Sequence, residues 1–360
     1  MAGPPPRTRL VVLFGGVSAE HDVSCATAAH VLRAADPERY DVVPVAVTRE
    51  GQWVLSEATA KALAEGPAAL PSALAAEGPA LDPLPALTAE GAPVVVFPLI
   101  HGPLGEDGTV QGLLELADVP YVGAGVLGSA LCMDKAMAKV VAAAAGLPQP
   151  RHLAARDVDV DDAFSRRVAD ELGFPVFVKP ANLGSSVGIT KVVDATALPA
   201  AISTALAYDE WVVVEEGVDG REIEVAVLGN AEPRASVPGE IVPTHEFYDY
   251  ADKYLDGAAA LLIPAPLAPS VAEEARRLAL AAYAALRVDG LARVDFFYEE
   301  AGRGLLLNEV NTLPGFTPFS MYPSLWQASG VGYDELVDEL VRLAVERHRH
   351  RQGHGRPQPG

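Results

Sequence analysis

Two pairs of polar residues interrupt apolar stretches in the last third of the chain. Arg293 and Asp295 lie two residues apart in one predicted strand, and Glu309 and Asn311 lie two apart in the next. Side chains two apart in a strand point to the same face of the sheet. Carboxylate and amide oxygens suit Mg²⁺, which also keeps water and substrate phosphates as ligands. The spacing therefore favours a Mg²⁺-binding face over its alternative, a solvated sheet face.

A second cluster has the groups that bind phosphate. Lys179 lies at the end of the predicted strand 174–180, and the Gly-Ser-Ser-Val-Gly loop at 184–188 follows it. Glycine-rich loops expose backbone N–H groups to anions, and the serines add hydroxyl donors. The loop is not a Walker motif, because no Gly-Lys-Ser/Thr follows a glycine and four residues. Phosphate binding is the prediction, and a plain hairpin turn is the alternative.

Glu20 follows Gly15 and Gly16 at the predicted start of a helix. The dinucleotide fingerprint G-x-G-x-x-G is absent there. A carboxylate at a helix N-terminus is favoured by the helix dipole, which is the structural interpretation. The functional interpretation is that Glu20 holds the ammonium group of an amino acid.

Glutamates also cluster after the predicted strand 211–215. Glu215, Glu216, Val218 and Glu222 could line a nucleotide base with backbone amides and bind ribose hydroxyls with a carboxylate. The alternative is a strand end that carries surface glutamates.

The composition limits the classes of partner. The chain has 360 residues, 27 Lys and Arg and 48 Asp and Glu, and a formal net charge of −21. That charge disfavours nucleic acid and anionic lipid as partners. No apolar run approaches the roughly 20 residues of a membrane span, and residues 1–9 lack a signal-peptide pattern. We therefore predict a cytoplasmic protein with no nucleic-acid or membrane partner, and Cys25 and Cys132 are predicted to be buried thiols.

Hydrophobic periodicity predicts the elements that position these groups. A strand at 9–14, a helix to about Ala34 and strands at 40–47 and 94–100 predict an α/β opening. Asp134 is predicted to cap a helix that carries Lys135, and Ser270 with Glu273 to form a capping box. The further predicted elements are a helix at 110–117, strands at 189–193, 291–298 and 305–310, and helical pieces broken at Gly-Pro within the Ala/Pro-rich segment 56–92.

The ordered set of motifs resembles the D-alanine–D-alanine ligase family of ATP-grasp enzymes. The motifs are Gly15-Gly-Val-Ser-Ala-Glu20, His101-Gly-Pro-Leu-Gly-Glu-Asp-Gly108, Met133-Asp-Lys135, Val178-Lys-Pro180, Gly184-Ser-Ser-Val-Gly188, Arg293-Val-Asp295 and Asn308-Glu-Val-Asn-Thr-Leu-Pro-Gly315. They cover about residues 9–348. Three of the six lysines, Lys135, Lys179 and Lys253, occupy motif positions that need a point positive charge.

The resemblance implies a fold and a reaction. The fold is α/β, with an N-terminal Rossmann-like (pre-ATP-grasp) α/β domain, a small central strand-rich domain and a C-terminal α+β domain. The implied boundaries are a disordered tail at 1–8, domains at 9–133, 134–224 and 225–348 with a mobile loop at 245–257, and a disordered tail at 349–360. The implied reaction joins two D-alanines through a D-alanyl phosphate, with release of ADP and phosphate, for peptidoglycan precursor synthesis. A homodimer is also implied.

The same resemblance implies roles for single residues. Catalysis would use Glu20, Ser185, Lys253, Tyr254, Arg293, Gly315 and Ser320. ATP would contact Lys135, Lys179, Ser185, Ser186, Glu215, Glu216, Val218, Glu222 and Lys253. D-Alanine would contact Glu20, His101, Arg293, Gly315 and Ser320. Two Mg²⁺ ions, replaceable by Mn²⁺, would be bound by Asp295, Glu309 and Asn311.

Three alternatives stay open. The first is a D-alanine–D-lactate or D-alanine–D-serine ligase, which the Lys253-Tyr254 pair disfavours because that pair resembles the enzymes that make the Ala–Ala product. The second is an ATP-grasp ligase for other carboxylate and amine substrates. The third is a nucleotide-binding module without catalysis, which would be expected to lack a Mg²⁺ carboxylate or a loop lysine.

Overall fold

The computed structural model of the chain describes residues 7–87, 93–242 and 260–355. These residues form three sheets, each with its own helices. We refer to them in chain order as the first, central and third units.

The first unit has a four-stranded sheet in the order β3–β2–β1–β4, with β1 parallel to β2 and β4. Its strands are β1 (Thr8–Gly15), β2 (Tyr40–Val47), β3 (Trp53–Leu55) and β4 (Val94–Pro98), and its helices are α1 (His21–Ala34), α2 (Glu57–Glu65), α3 (Pro83–Leu87) and α4 (Thr109–Leu116). Leu10 and Val12 pack on the α1 side, whereas Val11 and Leu13 pack on the α4 side. A strand buried on both faces is apolar throughout, which explains the unbroken run in β1.

Two helices lead out of the first unit. They are α5 (Val126–Met133) and α6 (Lys135–Ala144). Asp134 caps α6, because its Oδ1 accepts the N–H of Met137 at 2.9 Å. This helix carries Lys135 and Lys139 towards the other two units.

The central unit is an antiparallel sheet in the order β5–β8–β6–β7. Its elements are β5 (His152–Arg156), α7 (Asp162–Arg167), β6 (Val176–Pro180), β7 (Thr190–Val192), α8 (Leu198–Leu206) and β8 (Trp211–Glu216). Val178 and Val214 face α7 and α8 in the core of this unit. Since strand side chains alternate, Lys179 and Glu215 point to the opposite face.

The third unit is a larger antiparallel sheet in the order β12–β11–β9–β13–β14, with β10 beside β9. Its elements are β9 (Arg221–Gly229), β10 (Arg234–Ala235), β11 (Gly239–Val242), β12 (Ala260–Leu262), α9 (Pro269–Ala285), β13 (Gly290–Glu299), β14 (Gly304–Asn311), α10 (Met321–Ala328) and α11 (Tyr333–Gly355). Val225 and Val294 pack against α9. Arg293 and Asp295 therefore point away from that helix.

Helix α11 joins the third unit to the first. Arg347 donates to the carbonyl oxygen of Tyr121 at 3.1 Å and to that of Gly123, and its guanidinium lies 4.2 Å from the ring centre of Tyr121. Asp338 accepts the hydroxyl of Tyr40 at 2.7 Å and pairs with Arg39. No helix in the described ranges is long and apolar enough to cross a bilayer.

The structure confirms most of the predicted elements and corrects some. The helical pieces of the Ala/Pro-rich segment are α2 and α3, with a break at Gly66-Pro67, whereas residues 88–92 lie outside the described ranges. The predicted capping box at Ser270 is wrong: α9 begins at Pro269, which needs no N–H partner at that position, and no side chain caps the helix.

Three predicted boundaries also differ. The disordered tail at 349–360 is wrong for 349–355, which continue α11, and Thr8 already belongs to β1. The boundary at 224/225 would divide β9, all of which pairs within the third sheet. Strand β9 is continuous because its hydrogen-bonded partners, β11 and β13, both lie in that sheet. The division into three domains otherwise stays a prediction.

Candidate active site

A cavity of about 740 Å³ lies where the three units meet. Ten predicted site residues line it: Glu20, His101, Lys135, Ser185, Ser186, Arg293, Glu309, Asn311, Gly315 and Ser320. They come from the first unit, from α6, from the central unit and from the third unit. The fold therefore brings together residues that lie up to 300 positions apart in sequence.

The wall from the first unit carries Glu20 and His101. Ser18 links their two loops, because its Oγ donates to the carbonyl oxygen of His101 at 2.8 Å and accepts the N–H of Glu20 at 3.2 Å. A Cβ on Gly184 would lie 3.3 Å from Oε2 of Glu20. Glycine at 184 thus allows the central loop to approach the Glu20 carboxylate.

Glu106 lies in the same wall and was not assigned a role from the sequence, although it belongs to the 101–108 motif. Its Oε1 accepts the N–H of Gly102 at 2.7 Å. Burial, reinforced by the charge of Glu20, raises the pKa of Glu106 from 4.5 to about 8. Burial has the opposite effect on the base His101 and lowers its pKa. Burial thus favours the neutral form of both side chains.

Lys135 lines another part of the cavity, and two further lysines lie behind it. Nζ of Lys135 donates to the carbonyl oxygen of Leu183 at 2.6 Å, beside the Gly/Ser loop. Behind it, Glu215 forms ion pairs with Lys179 at 3.0 Å and with Lys139 at 3.2 Å. Burial opposes ionisation of Glu215, but the two ammonium groups hold its pKa at about 2. Lys139 was placed on this helix from the sequence but was given no role; its position four residues after Lys135, on the same helix face, was the available signal.

The residues predicted to surround the adenine and ribose lie away from the cavity wall. Glu216 pairs with Arg151 at 2.7 Å and with Arg303 at 2.5 Å, and these partners hold its pKa below the usual range despite burial. Val218 and Glu222 are half-buried. None of these three residues lines the cavity. Their role in nucleotide binding stays a prediction.

Strands β13 and β14 pair as predicted. Strand β13 carries Arg293 and Asp295, and β14 carries Glu309 and Asn311. Asp295 lies directly opposite Glu309, and Arg293 directly opposite Asn311. Nε and Nη2 of Arg293 donate to the two oxygens of Asp295 at 2.8 and 2.7 Å. Burial lowers the pKa of Arg293, but Asp295 and Glu224 outweigh it and raise the pKa well above its usual value.

The chemistry of this donor set fits Mg²⁺. Two carboxylates, Asp295 and Glu309, share one face with the amide of Asn311, and oxygen ligands of this kind are the ones Mg²⁺ prefers. The amide nitrogen of Asn311 donates to Asp295 at 2.8 Å. Within 7–87, 93–242 and 260–355, no three His, Cys, Asp or Glu side chains form a group that could hold a metal. The binding of Mg²⁺ by these residues stays a prediction.

The end of the cavity beyond β14 is formed by Gly315 and Ser320. A Cβ on Gly315 would lie 3.2 Å from Oγ of Ser320, so glycine allows the close approach of that hydroxyl. Ser320 is held by Thr317, whose N–H donates to its Oγ at 3.1 Å. Lys253 and Tyr254, together with the rest of the predicted loop 245–257, lie outside the described residues.

Comparisons with known proteins agree with this geometry. A family model described as "D-ala D-ala ligase N-terminus" matches residues 9–124, and one described as "D-ala D-ala ligase C-terminus" matches residues 141–342. A D-alanine–D-alanine ligase of Thermoanaerobacter sp. (strain X514) is 48% identical over 351 residues, which cover 95% of this chain and 98% of that protein.

Solved structures are similar over nearly the whole chain. The D-alanine–D-alanine ligase from Coxiella burnetii has a TM-score of 0.81 and 35% identity, and the match covers 97% of both chains. The VanG D-Ala:D-Ser ligase from Enterococcus faecalis also has a TM-score of 0.81, with 33% identity over 94% of this chain and 99% of that one.

The three units and the cavity between them define an ATP-grasp protein of the α/β class, as predicted. Within that class, the chain belongs to the D-alanine–D-alanine ligase family.

Proposed function

We propose that the protein joins two molecules of D-alanine to D-alanyl-D-alanine at the expense of ATP, for peptidoglycan precursor synthesis. One observation carries this proposal: a single cavity is lined by the carboxylate of Glu20, by Lys135 with the Gly/Ser loop, and by the buried Arg293, which suit an ammonium group, phosphates and an oxyanion respectively. An acyl phosphate route needs these three functions side by side. The 48% identity to a relative named for this reaction supports the choice of D-alanine.

The first step is phosphoryl transfer. A carboxylate oxygen of the first D-alanine attacks the γ-phosphorus of ATP, the bond from that phosphorus to the β–γ bridging oxygen breaks, and ADP leaves. Lys135, Lys179, Ser185 and Ser186 hold the phosphates, while Glu20 and the His101 loop hold the ammonium of the amino acid. Their contribution is position and charge, because phosphoryl transfer needs little covalent chemistry from the protein.

The second step forms the peptide bond. The amine nitrogen of the second D-alanine, as the free base, attacks the acyl carbon, and the tetrahedral intermediate places negative charge on the former carbonyl oxygen. Arg293 and the N–H of Gly315 stabilise that oxygen. When the intermediate collapses, the bond from carbon to phosphate oxygen breaks, phosphate leaves, and the nitrogen gives up one proton to the departing phosphate. Ser320 binds the carboxylate of the second substrate.

Asp295, Glu309 and Asn311 would bind two Mg²⁺ or Mn²⁺ ions. Such ions, when bound to phosphates, neutralise the charge that develops on them. Glu215, Glu216, Val218 and Glu222 would surround the adenosine, and Lys253 and Tyr254 would complete the site from the loop 245–257. The family resemblance further supports a homodimer in the cytoplasm. The mass of the native particle relative to the 37.6-kDa chain would test the dimer.

The test of the proposal is product identity. The purified protein is given MgATP with D-alanine alone, then with D-alanine plus D-lactate or D-serine at several pH values, and ADP release and product mass are measured. We expect D-alanyl-D-alanine in every mixture, and no ADP in a control in which L-alanine replaces D-alanine. Preferential incorporation of D-serine or D-lactate would replace the proposed substrate while the ATP site stands. Absence of ADP in all mixtures would contradict the proposal.

The metal assignment has its own prediction. Glu309→Gln keeps the size of the side chain but removes a charged ligand, so we expect turnover to fall by about a hundredfold or more. The free energy of unfolding should change little, and a higher Mg²⁺ concentration should restore part of the rate. Turnover equal to that of the unmodified protein would remove Glu309 from the metal site.

A further inference from the structure

Three carboxylates form a row across the third sheet on the side that faces the cavity. Glu224 of β9 lies directly opposite Asp295 of β13, and Asp295 lies directly opposite Glu309 of β14. Directly opposed residues of antiparallel strands project to the same face, and like charges in such positions repel each other. The row therefore needs a cation. Glu224 was not singled out in the sequence.

Arg293 provides that cation from a position two residues along β13. Oε2 of Glu224 lies 2.9 Å from Nε of Arg293, and the guanidinium donates to Asp295 through Nε at 2.8 Å and Nη2 at 2.7 Å. The single hydrogen on Nε points to Asp295, so the contact with Glu224 is electrostatic. The Glu224 side chain is 5% exposed, which makes this attraction strong because little solvent screens it.

Asp295 lies in the middle of the row, whereas Glu224 lies at one end. Asp295 also accepts the amide of Asn311 at 2.8 Å, and in the proposed function it holds a metal ion. A carboxylate that binds a metal ion attracts a guanidinium less strongly, because its charge is already partly neutralised. Glu224 then becomes the main anion that keeps Arg293 in place.

We propose that Glu224 is a positioning residue: it holds the guanidinium of Arg293 against the cavity wall, where the proposed oxyanion forms. This inference rests on the proposed function. In this role Glu224 does not contact the reacting atoms. It affects catalysis only because it positions Arg293.

The first experiment compares Glu224→Gln with a matched control. Glu240→Gln breaks another buried ion pair of the same sheet, in which Arg221 donates to Glu240 at 2.8 and 2.7 Å. For Glu224→Gln we expect kcat to fall about tenfold to a hundredfold, as when a transition-state donor is misplaced. The KM for ATP and the affinity for ADP, measured by calorimetry, should stay within about twofold. For Glu240→Gln, kcat should stay within about twofold.

A double-mutant cycle separates positioning from a structural role. Arg293→Lys keeps the charge but removes the planar fork that Glu224 and Asp295 hold. If Glu224 acts through Arg293, adding Glu224→Gln to Arg293→Lys should change kcat by less than about twofold. Glu224→Asp keeps the charge at a shorter reach and should have a kcat between those of the unmodified protein and Glu224→Gln. This variant also carries the test if Glu224→Gln does not fold.

Three results would overturn the inference: a kcat for Glu224→Gln equal to that of the unmodified protein, an equal loss of kcat in Glu240→Gln, or losses that multiply in the double variant. The proposed function fails separately, because it is contradicted when the unmodified protein forms no D-alanyl-D-alanine. The variants are compared only after the unmodified protein has been shown to form that product.

Discussion

At the scale of single residues, the site is dominated by buried charges that neutralise one another. Glu215 lies between Lys139 and Lys179, and Arg293 lies between Asp295 and Glu224. A buried ion pair adds little net stability, but removal of one partner leaves a costly unpaired charge. The free energy of unfolding should therefore depend both on the presence of each partner and on pH.

Lys139→Met tests the lysine pair. Lys139 is 3% exposed, and the substitution leaves Glu215 with Lys179 alone. We expect the free energy of unfolding in urea to fall by about 3 kcal/mol, since a buried partner is lost. The exposed Lys61→Met is the control and should change that energy by less than about 0.5 kcal/mol. A Lys139→Met protein as stable as the control would show that Glu215 does not depend on Lys139.

Glu106→Gln tests the protonated carboxyl group. Because burial raises the pKa of Glu106 from 4.5 to about 8, the folded state holds a proton that the unfolded state has released between these values. The contribution of Glu106 to the free energy of unfolding should therefore fall as pH rises from 4.5 to 8. Gln cannot titrate, so the urea midpoint of the variant, relative to that of the unmodified protein, should rise as pH increases over that range. The exposed Glu57→Gln should keep the slope of the unmodified protein.

At the scale of elements, the positions of the lysines depend on where α6 begins. The helix carries Lys135 and Lys139 on one face, and Asp134 determines its first turn by accepting the N–H of Met137. The strands act in the same way: cross-strand pairing of β13 with β14 places Asp295 against Glu309. A change in the end or register of such an element would move several site residues together.

Asp134→Ala tests the start of α6. We expect the free energy of unfolding to fall by about 1 kcal/mol, because an N–H of the first turn loses its acceptor. The KM for ATP should rise, since both lysines lie on this helix. Asp161→Ala removes the equivalent cap of α7, where Oδ1 accepts the N–H of Phe164 at 2.8 Å, and should reduce stability without affecting the KM. If the KM for ATP rises equally in both variants, the increase does not depend on the start of α6.

At the scale of the whole molecule, α11 holds the first and third units on either side of the cavity. Arg347 is 7% exposed and binds two carbonyl groups between β4 and α5, and Asp338 reaches Tyr40 and Arg39 at the start of β2. Helix α11 therefore contributes to the separation of the cavity walls without taking part in either wall, together with direct contacts such as Phe97 on Phe316.

Arg347→Met tests this contact. The variant leaves two carbonyl oxygens without their donor, so we expect the free energy of unfolding to fall by about 2 kcal/mol. The kcat should fall as well, because Glu20 and Arg293 would no longer be held at a constant separation. Arg349→Met, on the exposed side of the same helix, is the control and should match the unmodified protein in both measurements. If the kcat of Arg347→Met is unchanged, α11 does not control the cavity.

Local pattern was sufficient to predict several parts of the fold. Alternation in 291–298 and 305–310 predicted that Arg293, Asp295, Glu309 and Asn311 share a face, because side-chain direction in a strand depends only on the position along it. Asp134 was recognised as a cap for a similar reason, since a cap acts within three residues of itself. The order of the motifs was sufficient to indicate the family.

Tertiary structure alone decided which charges meet. Lys139 and Glu215 lie 76 positions apart, and Glu224 and Arg293 lie 69 apart, so no spacing rule connects them. The protonated state of Glu106 likewise depends on burial by loops and on Glu20, which lies 86 residues earlier. Sequence periodicity reports the direction of a side chain within its element, whereas Coulomb attraction and desolvation depend on distances between elements, which only the packed chain determines.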